Sequence, residues 1–87
     1  MVLHPSKFIT ANVILRVGKG KLISVSVADP AGGSKLEIFN GTDNTGTKIH
    51  SIDGTSAGTQ HMELSIPFHV GLFVQVTGAA TYNVTWD

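Results

Sequence analysis

Apolar and polar residues alternate with a period of two along most of the chain, and glycine-rich turns interrupt the alternation at spacings near ten residues. That pattern predicts short strands with one buried face. The expected strands are Phe8–Val17, Lys21–Ala28, Lys35–Asn40, Lys48–Ile52, Thr59–Ile66, Val70–Thr77 and Thr81–Trp86. In the first, Ala11, Val13 and Leu15 share a face; in the second, Ile23, Val25 and Val27 alternate with Ser24 and Ser26. Pro67 cannot donate a ladder hydrogen bond, so the strand before it ends there or lies at an edge. The segments between, such as Gly18-Lys19-Gly20, Asp29–Ser34 and Gly41–Thr47, carry turn chemistry. No segment holds a helical period over three turns. The expected fold is all-β, a small antiparallel β-sandwich of jelly-roll or Ig-like kind, with about seven to eight short strands. Residues 1–7 read as an N-terminal arm and 8–87 as a single sandwich domain.

Composition narrows what such a domain can do. Eighty-seven residues hold one modest core, and with no cysteine in the chain no disulfide reinforces it. Charged residues are only 14% of the chain, and six basic residues balance six acidic ones. A surface with so little self-repulsion favours association, so a homo-oligomer is expected. The same neutrality speaks against nucleic acid as a partner, since Arg16, Lys19 and Lys21 around one glycine turn make no basic stripe. No apolar run is long enough to span a bilayer as a helix, so no membrane partner is expected. The opening Met1–Lys7 lacks the features of a signal peptide, so the chain reads as complete and not exported by that route.

The search for chemistry returns little. None of the local signatures of a serine nucleophile, a zinc-binding helix or a phosphate loop occurs, so no catalytic residue, metal or cofactor is assigned. Asp29, Asp43 and Asp53 sit in three separate turns, where bonding to nearby backbone is the expected role. His50 and His61 flank the turn at 53–58. A local hairpin would set His50 opposite His61 and Lys48 opposite Glu63 on one polar, outward face. Two imidazoles fall short of the three protein ligands a metal site needs, so a pH-sensitive surface pair is expected there. Should that pair line an oligomer contact, acid would loosen the assembly. Phe39 and Phe73 fall opposite the aliphatic faces of their strands, and outward aromatics on a weakly charged surface are candidate contacts. Tyr82 and Trp86 alternate with Val84 and are expected to cap the core. Val2 and Leu3, ahead of Pro5, are candidates for lying on a neighbouring copy. The candidate interface is thus Val2, Leu3, Phe39, His50, His61 and Phe73.

Three stretches carry a resemblance: Gly20–Val27 as a strand after the opening turn, Leu36–Thr42 as a strand ending in a Gly-Thr loop, and Ile66–Gly78 as a Pro-containing turn into a penultimate strand. With Tyr82–Trp86 they cover most of residues 8–87, and the chain resembles small β-sandwich virion proteins of tailed bacteriophages, of the capsid decoration or cement type. The motifs are turn glycines and alternating valines, so no functional residue is carried over. The resemblance implies a non-enzymatic structural role in the virion, a homotrimer, and the major capsid protein or another virion protein as partner. Similar modules in phage tails and fibres imply the alternative, a carbohydrate- or receptor-binding module.

Overall fold

The computed structural model describes residues 5–56, 59–61 and 63–87. The described chain is all-β, with strands β1 (Ser6–Ile9), β2 (Val13–Val17), β3 (Gly20–Asp29), β4 (Lys35–Asn40), β5 (Thr47–Asp53), β6 (Gln60–His61), β7 (Ile66–Phe68), β8 (Gly71–Thr77) and β9 (Thr81–Trp86). They form two antiparallel sheets. The first runs β1-β9-β3-β6, with β7 also on β3; the second runs β2-β8-β4-β5.

The pairings follow one rule. Ser6 faces Thr85, Val17 faces Gly71, Leu22 faces Ile66, and Leu36 faces Ile52. The two members of each pair lie nearly equally far along the chain from the loop at 41–46. The chain is therefore one long antiparallel ribbon closed at that loop. It is rolled so that β9 also lies on β3 and β8 on β4. Of the two sandwich types expected, this strand order is the jelly roll.

Rolling explains where the expected strands break. Phe8–Val17 divides into β1 and β2, which belong to opposite sheets. Asn12 holds the corner, its side-chain oxygen accepting a 2.7 Å bond from the Val76 amide. Thr59–Ile66 divides as well, and Glu63 between β6 and β7 takes a positive φ of 56°, rare for a residue with a side chain. Register shifts at Leu15, Ile23, Ala28 and Ile49 mark β-bulges that help the strands bend. The bulge at Ile23 turns Leu22, fully buried, into the core in place of the alternation expected there.

Leu22, Val25 and Val27 of β3 pack with Tyr82, Val84 and Trp86 of β9, and across the sandwich with Leu36, Ile38, Leu72 and Val74. Tyr82 and Trp86 thus fill the core, as their alternation predicts. Ser34, 2% exposed, accepts the Ala79 and Ala80 amides at 3.1 and 3.2 Å and fixes the turn into β9. Gly78 of that turn has φ +87° and lies against Ser34, so both its backbone and its missing Cβ are needed.

All four sheet edges are blunted against further pairing: β1 is four residues long, β2 and β5 carry bulges, β6 has two residues and β7 contains Pro67. The accessible surface, 4755 Å² for 9.2 kDa, is close to the ~4,900 Å² of a compact monomer of this mass. Among the described residues, the sheet faces thus offer more for contact than the edges.

Candidate functional site

His50 and His61 meet, but not as a hairpin pair. β5 pairs with β4 in the second sheet and β6 with β3 in the first. The two strands are the edges of opposite sheets on the same open side of the sandwich, and there His50 Nε2 lies 2.7 Å from His61 Nδ1. The rings stand edge to face, centroids 4.8 Å apart. His50 is opposite Ile38 and His61 opposite Val25, both core residues, so the imidazoles turn inward. This corrects the expectation of an outward polar face. Among the described residues theirs is the one side-chain to side-chain hydrogen bond that joins the two sheets.

A bond between two ring nitrogens needs one proton on the line between them, so one imidazole donates and the other accepts. Burial pushes His50 below the usual histidine value, and charge on His61 pushes it the same way. Both effects favour the neutral form of His50. Among the described residues no three His, Asp or Glu side chains gather as a metal-holding group.

Lys48 does not reach Glu63. Its ammonium lies 2.6 Å from Glu37, and Lys35 lies 3.6 Å from the other oxygen of the same carboxylate. The hydrogen bond from Lys48, aided by the charge of Lys35, lowers the Glu37 pKa against a smaller opposing effect of burial. Register places Glu37, Phe39, Phe73 and Gln75 together on the outer face of the second sheet, opposite the aliphatic core set.

Phe39 and Phe73 do lie opposite the core, as their strand positions predict. They are neighbours in register on β4 and β8, with ring centroids 6.2 Å apart at 45°. Ile14 faces Phe73 from β2. Three strands thus carry an apolar row, Phe39–Phe73–Ile14, across the outer face. Exposure rises along it: Phe39 is 7% exposed between Phe73 and Lys48, Phe73 is half-buried, and Ile14 is 44% exposed. Val17, further along β2, and Val70, whose carbonyl accepts the Gly18 amide, are also exposed and lie at one corner of this sheet. The alternation of Val13 and Leu15 already sets Ile14 on the opposite face, but Phe73 as its neighbour there appears only in the register of β2 with β8. Val2 and Leu3 lie outside the described residues.

Asp43 and Asp53 act on the backbone of their turns, whereas Asp29 is the last residue of β3. Asp43 accepts the Thr45 amide at 2.9 Å and Asp53 the Thr55 amide at 3.0 Å, and the threonine bonds lower both carboxyl pKa values. Arg16 Nε donates to the Lys19 carbonyl at 2.9 Å. Lys19 and Lys21 border a shallow open depression with Phe68, His69 and the acidic Asp87, which offsets their charge. Compared with known proteins, the chain matches no family model, no curated protein and no solved structure.

Proposed function

We propose that this chain is a non-enzymatic structural virion protein, of the capsid decoration or cement kind, that works through protein–protein contacts of an oligomer. The observation that supports the reading best is the row Phe39–Phe73–Ile14, apolar residues placed on the outward face of a sheet whose core lies on the other side. Outward aromatics and aliphatics in a line across three strands match the apolar centre of a protein interface, and the Lys35–Glu37–Lys48 group gives it a polar margin. Jelly rolls serve in viral capsids and in lectins alike, so the architecture is compatible with the reading without selecting it. The alternative, a carbohydrate- or receptor-binding module of a tail or fibre, draws less support from the aromatics. Tyr82 is fully buried and Phe39 nearly so, Phe73 is half-buried, and Phe8, 64% exposed, stands on β1 of the other sheet, so the open rings do not converge on one place where a sugar could stack.

The test is co-sedimentation of the purified protein with assembled heads of the phage that encodes it. Saturable binding to shells, lost in Ile14→Lys, is the expected result. A protein that stays in the supernatant at every concentration, and does not self-associate, would overturn the proposal.

A further inference from the structure

We propose that the His50–His61 pair is a proton-operated clasp, closed when neutral, whose double protonation frees the β6 segment from the open side of the sandwich. The inference rests on the site's geometry and is independent of the assembly reading. At 2.7 Å the two nitrogens share one hydrogen. With both rings protonated, each of the facing nitrogens carries an N–H, the bond is lost, and two like charges stand with ring centroids 4.8 Å apart. The rings then have to separate.

Among the described residues, no acidic side chain bonds to either ring. The residues facing the pair from the adjoining strands are Val25 on β3 and Ile38 on β4. On β4, Glu37 is taken up by Lys35 and Lys48 on the outer face. On β3, Lys21 and Asp29 are exposed near the strand ends. On β5, Lys48 and Asp53 are exposed, Asp53 bonding to its own turn. Glu63, after β6, is exposed. Burial already favours the neutral form of His50, so closure is the resting state near neutrality.

The weak side of the clasp is β6. It is two residues long, it is followed by Glu63 in the left-handed region, and backbone bonds from Val27 to Thr59 and from Leu64 to Ile23 flank it. β5, by contrast, pairs along its length with β4. Opening therefore lifts β6, Gln60–His61, and bares Val25 and Ser26 of β3, while β7 continues to cover Gly20–Leu22.

Amide hydrogen exchange followed by NMR on the full chain tests this, comparing pH about 7.5 with pH about 5 after correction for intrinsic rates. Protection at Val27 and Leu64 is expected to fall by about tenfold or more in acid, while Ile38 and Val74 of the second sheet hold theirs. His50→Gln/His61→Gln, which does not titrate, should lose this pH dependence, and His69→Gln, at an exposed position, should keep it. Unchanged protection at Val27 and Leu64 in the native chain, or a loss that persists in the double variant, would overturn the clasp. Should the double variant fail to fold, imidazole NMR decides. Coupled titration in two separated steps supports the clasp, and two independent titrations at the ordinary histidine value refute it.

Discussion

Tyr82→Phe is expected to make this protein more stable. Tyr82 is fully buried in the core, and its hydroxyl has no hydrogen-bond partner among the described residues. The ring lies against Gly54, whose missing Cβ leaves room for the hydroxyl. A hydroxyl buried without a partner costs about 1–3 kcal/mol, and its removal breaks no bond here. The void left by one oxygen, roughly 15 Å³, costs about 0.4 kcal/mol on the cavity scale. The balance is a gain of about 1 kcal/mol, or a rise of roughly 4–8 °C in Tm for a domain of this size. Trp86, the only tryptophan and 9% exposed, provides the fluorescence signal for a urea titration. An equal m-value with a higher midpoint is the expected pattern. Because Tyr82 is the only tyrosine, alkaline ultraviolet titration reads its ionisation alone. Burial first, and then the charge of Asp53, raises its pKa above the ordinary phenol value. Destabilisation by Tyr82→Phe, or titration of native Tyr82 at the ordinary value, would refute the reasoning.

Other positions make sharper structural demands. Gly54→Ala forces its new methyl into the Tyr82 hydroxyl and should cost about 1–3 kcal/mol by urea unfolding, with partial recovery when Tyr82→Phe is added. Ser34→Ala leaves the Ala79 and Ala80 amides without their acceptor and should cost about 1–3 kcal/mol, read as a lower urea midpoint. Glu37 has a lowered native pKa, so its contribution is present above the unfolded carboxyl value and lost as pH falls through the native one. Because its lysine partners are half-exposed, Glu37→Gln should cost no more than about 1 kcal/mol at neutral pH, and should flatten the acid slope of stability below pH about 4.5.

Much of the fold was legible in the alternation alone. The inward set of β9, Tyr82, Val84 and Trp86, and that of β4, Leu36 and Ile38, are where the period places them. What the period cannot show is a corner made without glycine or proline. Thr10-Ala11-Asn12 continues the pattern of its neighbours, and only the long-range bond from Val76 to Asn12 reveals the turn. Pairing was less accessible still. His50 and His61 are near in sequence, which favours a local hairpin, yet the rolled ribbon pairs β5 with β4 and β6 with β3. The histidines come together because both strands end up at one open edge, and this reverses the face they occupy. The outward phenylalanines followed from strand position, whereas their low exposure came from neighbours on other strands. The outward face of Ile14 follows from the alternation too, whereas its place beside Phe73 depends on the long-range pairing of β2 with β8.

Sedimentation equilibrium over a range of concentrations, on the native chain and on Ile14→Lys, tests most directly whether the outer face of the second sheet is the working surface. Ile14 is 44% exposed, so the lysine is tolerated by the fold while placing a charge at the open end of the apolar row. The account predicts a defined oligomer for the native chain, and for Ile14→Lys a folded monomer with the same β-sheet circular dichroism and a Tm no longer dependent on concentration. A native chain that remains monomeric throughout, or an oligomer that Ile14→Lys leaves intact, would contradict it.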